Sequence, residues 1–404
     1  MLRRVQIGNY KCLKHLDLSL SNFHILIGPN GSGKSTLIDA ITFVRDVVYL
    51  GVKEAVEKRV DAFSELTWLK NGEDIVISIE LSVPEAVTKS SWNAIRYELQ
   101  IGFREETGVS IVKENLWIMR NHKDLQNAKA FPIFKTPFDF ITQKKPKDWK
   151  QPISREAKTY FRAESTDWVT YFVLPPDRAA LSSLPEDRER FPVSLWFRDF
   201  LDKKLVKLQL ITERMRMPCP PDAPSVFQPD GSNLPKVLRK MMRENPKKFE
   251  SWKAHIKTVF EDLDDIKIVV REEDRRSYIV AKFKNSLEAP SWLLSDGTLR
   301  FMALTLIPYL DDSHSVYLIE EPENGIHPVA IESVFQVLST APKKQVLIAT
   351  HSPMFLALAE PGQLLCFSKS EDGSVQVVSG DKHPALKNWK RDMSLDLLFA
   401  SGVL

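Results

Sequence analysis

Phe23-His24-Ile25-Leu26-Ile27-Gly28-Pro29-Asn30-Gly31-Ser32-Gly33-Lys34-Ser35-Thr36 is the stretch on which the reading of this chain turns. Phe23 to Ile27 reads as a short buried strand. From Lys34 the apolar positions Leu37, Ile38, Ile41, Phe43, Val44, Val47 and Val48 recur at helical spacing, so the glycines stand at a strand-to-helix turn. Glycine is scarce, 15 of 404 residues, against about 7 % in an average chain, so the cluster Gly28, Gly31, Gly33 has a local cause. Gly28 to Ser35 fits G-x-x-x-x-G-K-[ST], in which glycines let successive backbone N–H groups curl around phosphate oxygens at a helix N-terminus. Lys34 is expected to reach the β and γ phosphates and Ser35 to offer a hydroxyl to magnesium, with Pro29, Asn30, Ser32 and Thr36 completing the cradle. A glycine turn that merely caps a helix gives no reason for the Lys-Ser pair.

Working outward, Leu2, Val5, Ile7 and then Leu16, Leu18, Leu20 alternate, as do Ile75 to Val83, Ile95 to Phe103 and Val109 to Ile118. These predict an antiparallel sheet beside the strand–turn–helix unit. Residues 121–265 shift to Lys, Pro and aromatics, with helices legible around Leu234 to Met242 and Phe249 to Phe260. Alternation returns at Ile266, followed by a helix after Asp296, the apolar strand Val316 to Ile319, a helix from Ile331 to Leu338 and the strand Val346 to Ala349. The expected class is α/β: a head assembled from 1–120 and 266–404 with an antiparallel β subdomain, and an inserted α-rich subdomain over 121–265. The sequence holds no internal repeat and no heptad run long enough for a coiled-coil arm.

The strand Val316 to Ile319 ends in Glu320-Glu321-Pro322-Glu323. An acid at the C-terminal end of a buried strand projects into the crevice where doubly wound sheets bind ligands, so Glu320 could reach magnesium and Glu321 the attacking water. A solvated acidic turn is the alternative, although such a turn does not call for four apolar residues before it. Val346 to Ala349 likewise ends in Thr350-His351-Ser352-Pro353, where His351 could contact a γ phosphate; a lone His elsewhere is more often structural.

Composition bounds the rest. With 43 % hydrophobic and 27 % charged residues the chain is neither disordered, collagenous nor membrane-embedded. The charge balance, 56 minus 53 or +3, gives no field that would draw the whole molecule to a polyanion. Cys12, Cys219 and Cys366 are far apart and form no C-x-x-C pair. No apolar run approaches the roughly 18 residues of a membrane span, and the expected location is the cytoplasm, with no membrane partner.

Leu294-Ser295-Asp296-Gly297-Thr298-Leu299-Arg300 precedes the acidic strand and resembles the signature loop of ABC-type ATPases. With Gly28 to Ser35 as Walker A, Val316 to Glu321 as Walker B and His351 as switch histidine, the chain resembles the RecF-like, SMC-related ABC ATPases. Glu320-Glu321-Pro322-Glu323-Asn324-Gly325-Ile326-His327-Pro328 and Ala349-Thr350-His351-Ser352-Pro353 are similar, more closely, to the AAA-family ATPases related to OLD-type proteins, of the kind found in bacterial anti-phage defence systems. Asp230-Gly231-Ser232-Asn233-Leu234 resembles that group's insert. The resemblance implies ATP and Mg2+ as cofactors and a homodimer whose heads sandwich two nucleotides. Ser295, Asp296 and Gly297 of one subunit would meet the γ phosphate held by the other. It also implies Glu321 as general base, assisted by Lys34 and His351, Glu320 with Ser35 as the magnesium site, and Asn324, Gly325 and His327 as the D-loop. The chain departs from the wider pattern at Glu320 (usually aspartate), Asp296 (usually glycine) and His327 (often aspartate). Gln100 is a candidate Q-loop glutamine on spacing alone. The stretch after Pro353 is too short and too poor in acids for the nuclease domain of OLD proteins.

Two readings of the output stay open. Head closure could clamp DNA through Arg120, Lys123, Lys129, Lys135, Lys144, Lys145, Lys147, Lys150, Arg155 and Lys158, or these could be a solvated basic face, since Asp124, Asp139, Asp148 and Glu156 are interleaved. Alternatively the chain is the regulatory subunit of a separate effector protein, with Trp149, Phe161, Trp168 and Trp196 as a partner patch, although aromatics are more often core.

Overall fold

Strands buried on both faces read as continuous apolar runs, whereas half-buried strands alternate; this chain has both kinds. The computed structural model describes residues 1–88, 92–120, 137–386 and 395. The chain forms two compact units, one of Met1–Asn22, Gly28–Leu205 and Leu365–Val378, the other of Phe23–Ile27, Val206–Leu364 and Ser379–Leu404.

In the first unit β1 (Leu2–Tyr10), β2 (Leu13–Ser19), β4 (Ile75–Ser82), β5 (Ala94–Arg104), β6 (Gly108–Met119), β7 (Trp149–Arg155), β8 (Thr159–Arg162) and β9 (Val169–Phe172) build one antiparallel sheet. Its order is β2-β1-β4-β5-β6-β7-β8-β9. The three strands expected from alternation are β4, β5 and β6. Where the sheet is buried on both faces, charge appears only in matched sets. Arg96, 4 % exposed, donates from Nε to Glu98 Oε1 at 2.7 Å, from Nη1 to Glu80 and from Nη2 to Phe140 O at 2.6 Å. The same unit holds α1 (Lys34–Leu50), α2 (Val52–Glu57) and α3 (Pro192–Lys203). Every expected apolar position of α1 from Leu37 to Val48 is at most 2 % exposed; a fully buried Leu, Ile or Val contributes about 1.5–3 kcal/mol.

The second unit carries β3 (Phe23–Ile27), β10 (Leu205–Leu208), β14 (Val316–Glu320) and β15 (Gln345–Ala349) in the order β10-β14-β15-β3. The β14/β15 and β15/β3 pairs are parallel, and the register sets Glu320 level with Ala349 and Ala349 level with Leu26. Every residue of β3 and β15 is buried, and in β14 only the terminal Glu320 is not. Around them lie α4 (Thr212–Arg216), α5 (Leu234–Glu244), α6 (Pro246–Lys257), α7 (Asp296–Leu306), α8 (Pro328–Ser339) and α9 (Pro353–Leu358). The antiparallel β11 (Leu263–Val270), β12 (Ser277–Phe283) and β13 (Glu288–Pro290) complete this part, while β16 (Leu364–Lys369) and β17 (Val375–Ser379) belong, but for Leu364 and Ser379, to the first unit. The two expected helices are α5 and α6, separated at Asn245-Pro246 because a proline starts a helix readily and does not continue one.

The stretch expected as one α-rich insert is divided. Among the described residues its α-helices begin at Pro192, while strands β7 to β9 between residues 149 and 172 lengthen the first unit's sheet, and the chain passes to the second unit at Val206. Strands of four residues such as β8 and β9 are too short to set up a readable period. Among the described residues no helix is long and apolar enough to cross a membrane.

Candidate nucleotide-binding site

In the first unit the loop Gly28–Gly33 follows directly on β3 and ends where α1 begins. Gly28 has φ +146, and a Cβ there would lie 2.3 Å from Phe367 O of β16; one at Gly33, φ +99, would lie 2.9 Å from Val375 of β17. Only glycine fits either position. Pro29, Asn30 and Gly31 are exposed at the tip, while Ser32 and Lys34 are buried at the floor. Lys34 Nζ folds back to donate to Gly28 O at 2.8 Å and Pro29 O at 3.0 Å. Ser32 Oγ is buried without a hydrogen-bond partner. The N-terminus of α1 has no side-chain cap and no acid in its first turn, so its backbone N–H groups and dipole favour an anion. Ser35 exposes its hydroxyl, and Thr36 Oγ1 lies 3.3 Å from Cys12 Sγ. Orphaned donors, an ammonium held by neutral carbonyls and an uncapped helix start fit a polyphosphate.

In the second unit the acids leave the C-terminal end of β14. Glu320 is ion-paired with Lys207 of β10, Oε2 to Nζ 2.8 Å. Glu321 takes a left-handed backbone, φ +47, with its N–H donating to Ala349 O at 2.8 Å and its exposed carboxylate accepting from Asn324 Nδ2 at 2.5 Å. A non-glycine residue held at positive φ is strain of the sort found at functional sites. Thr350 at the end of β15 is buried, donates to Glu323 and accepts from Ser352 N at 2.9 Å; His351 beside it is partly exposed. Ser35 and Glu320 offer hard oxygens of the kind magnesium takes. No group of three His, Cys, Asp or Glu that could cage a metal occurs among the described residues.

Ser295 caps α7, its Oγ accepting from Thr298 N at 3.1 Å, and is exposed. A Cβ on Gly297 would lie 2.2 Å from Gly325 O, so the start of α7 and the 324–327 turn touch backbone to backbone. His327 caps α8 through Nδ1, 3.4 Å from Val329 N. The Arg216 guanidinium, 2.5 Å from Asp296 Oδ1, holds that carboxyl below the usual range. The second unit therefore gathers Asp296, Gly297, Asn324, Gly325 and Glu321 into one neighbourhood.

Lys207, Arg216 and Lys369 were not read from the sequence. Lys369 Nζ would be 3.5 Å from a Cβ on Gly31. Each lies in a short element with no motif around it. Gln100, on β5, instead donates to Asp74 at 2.8 Å. The surfaces expected around the insert also change. Arg155 is buried and donates to Arg178 O and Pro175 O, and Lys150 donates to Glu164 O. Lys144, Lys145, Lys147 and Lys158 are exposed, whereas Lys123, Lys129, Lys135 and Asp124 lie outside the described residues. Phe161 is fully buried, and Trp149, Trp168 and Trp196 are half-buried against Trp117, Phe191 and Phe200, so these four are no patch. Val169, Tyr171, Phe172 and Val173 are among the apolar residues that are exposed instead.

A family model described as "AAA domain, putative AbiEii toxin, Type IV TA system" matches residues 23–357. The chain is 40 % identical over 72 residues to the chromosome partition protein Smc of Methanocaldococcus jannaschii, covering 18 % of this chain and 6 % of that protein. It is 46 % identical over 44 residues to the OLD nuclease of Thermus scotoductus, covering 11 % and 8 %. The chain thus spans under a tenth of the length of either relative. In fold it is similar to an Smc head solved bound to the C-terminal winged-helix domain of ScpA, with TM-score 0.55 and 14 % identity over 93 % of this chain and 97 % of that one.

Proposed function

The chain belongs to the AAA-domain family matched over residues 23–357 and has the fold of an SMC- and OLD-like ABC-type ATPase head; from that premise we propose that it binds ATP with magnesium, closes as a head-to-tail dimer around two ATP and hydrolyses them. One observation carries the reading. β14, β15 and β3 are parallel neighbours in matched register, and their C-terminal ends lead to Glu320-Glu321, to Thr350-His351 and to Gly28. That edge is where open parallel sheets bind ligands.

In this reading Lys34 exchanges the Gly28 and Pro29 carbonyls for β and γ oxygens, and the N–H groups of the loop and Ser32 Oγ donate to phosphate. Ser35 and Glu320 each supply an oxygen to magnesium, which when bound neutralises charge on the transferred phosphoryl group. Glu321 accepts the proton of the attacking water and His351 contacts the γ phosphate. Exposed Ser295, with Gly297 behind it against the 324–327 turn, faces the nucleotide of a second copy. Ser295→Arg is expected to leave nucleotide binding by each monomer intact while sedimentation shows no ATP-dependent dimer and turnover is lost. Normal hydrolysis by that variant would refute the sandwich.

For the output, we propose the ATPase or sensor component of a DNA-related or anti-phage defence system, using the exposed Lys144, Lys145, Lys147 and Lys158. The occupation of Arg155 and Lys150 by internal carbonyls favours the second reading, a regulatory subunit of a separate effector that does not bind DNA itself. ATP-loaded protein titrated with duplex DNA across a salt series separates the two. Salt-sensitive binding, lost when Lys144, Lys145 and Lys147 are changed to Glu, is expected for the clamp. No binding at low salt sinks it in favour of the regulatory reading.

A further inference from the structure

Lys207 and Glu320 are 23 % and 27 % exposed, and their contact at 2.8 Å sets an ammonium on the carboxylate to which the proposed function assigns magnesium. The ammonium already neutralises part of that carboxylate's charge, so a magnesium ion arriving at Glu320 competes with Lys207 for it. Beyond β10 the chain continues as a strap to α4. Along its length Gln209 N donates to Pro229 O at 2.9 Å, Ile211 N to Asp230 O at 3.0 Å, and Arg214 Nη1 to Asp230 Oδ2 at 2.9 Å. At its far end Arg216 Nη2 reaches Leu294 O at 3.1 Å and Asp296 Oδ1 at 2.5 Å, and Ser291 Oγ donates to Arg216 O at 3.1 Å. Asp230 is itself pinned by Ser232, and Gly231, φ +74, packs on Met215 of α4. The Asp230–Asn233 motif is thus the clasp that fastens the strap. A cleft lined by Gln209, Ile211, Arg300, Leu304, Glu321 and Asn324 runs beside it and leaves room to move.

We propose that Lys207 is a built-in counter-cation which magnesium must displace from Glu320, and that the strap 206–216 carries this displacement to the Ser295–Gly297 loop. The inference rests on the nucleotide-binding reading and adds its regulation: the signature loop stays tethered through Arg216 until the head is loaded. The pair is partly exposed, so its effect on ion binding is modest, about fivefold.

The test titrates magnesium against binding of a fluorescent ATP analogue in wild type, Lys207→Gln and Lys207→Arg. Hydrogen exchange of residues 206–216 and 294–300 is followed with and without magnesium nucleotide. Lys207→Gln is expected to lower the magnesium midpoint about fivefold, Lys207→Arg to keep it near wild type, and loading to quicken exchange in both wild-type segments. An unchanged midpoint in Lys207→Gln with nucleotide binding intact overturns the role of Lys207 alone, and exchange indifferent to loading overturns the strap. Wild-type protein that binds no nucleotide at any magnesium concentration overturns the nucleotide-binding reading and this inference with it.

Discussion

Glu321→Gln is expected to bind ATP as wild type does, to lose turnover by about 10²–10⁴-fold, the usual contribution of a positioned general base, and to accumulate as a closed dimer. The backbone of Glu321 is fixed independently of its carboxylate: φ +47 is held by the N–H bond to Ala349 O at 2.8 Å. The carboxylate accepts from Asn324 Nδ2 at 2.5 Å, and a glutamine can turn its carbonyl oxygen to keep that bond. The substitution therefore removes the proton acceptor without moving the strand end or Glu320. Single-turnover hydrolysis together with sizing of the ATP-loaded protein checks it. Normal turnover would transfer the base role elsewhere and remove Glu321 from the mechanism.

What could be read in advance follows from how far each feature repeats along the chain. The strands β3, β14 and β15 were legible because burial imposes runs of three or four apolar positions, and helix α1 because its apolar positions recur at helical spacing. The loop at Gly28 to Gly33 was legible because positive φ, with Phe367 backbone against Gly28 and the Val375 side chain against Gly33 within 3 Å of an added Cβ, restricts both ends to glycine. Lys207 was not, since β10 is four residues long and its lysine matters only through a strand distant in sequence. The set Arg96, Glu80 and Glu98 escaped as well, because charges on the polar beat of an alternating strand read as a solvent-facing side, whereas here that side is buried. The partner patch failed for the opposite reason: Phe161, on a four-residue strand, is core, and composition carries no direction.

Lys34→Ala is expected to weaken nucleotide binding by about 100-fold or more, since a lysine–phosphate contact away from bulk water is a charge-assisted bond of up to about 3 kcal/mol. The loop itself should survive. Its shape is set by Gly28 against Phe367 O and Gly33 against Val375, not by the ammonium, which is 6 % exposed and bonded to two carbonyls of its own loop. The Pro29 carbonyl can turn to water at the exposed tip and only the buried Gly28 carbonyl loses its donor, so the thermal midpoint should move by only a few degrees. Calorimetric titration with ATP, read beside a thermal melt, separates the two effects. A variant that melts as wild type and still binds ATP as wild type would show that the glycine loop holds no phosphate, and the assignment of Ser32, Ser35 and Thr36 would fall with it. A variant that loses binding while the fold stands leaves one account of a buried ammonium aimed at its own loop: it is stored there for an anion.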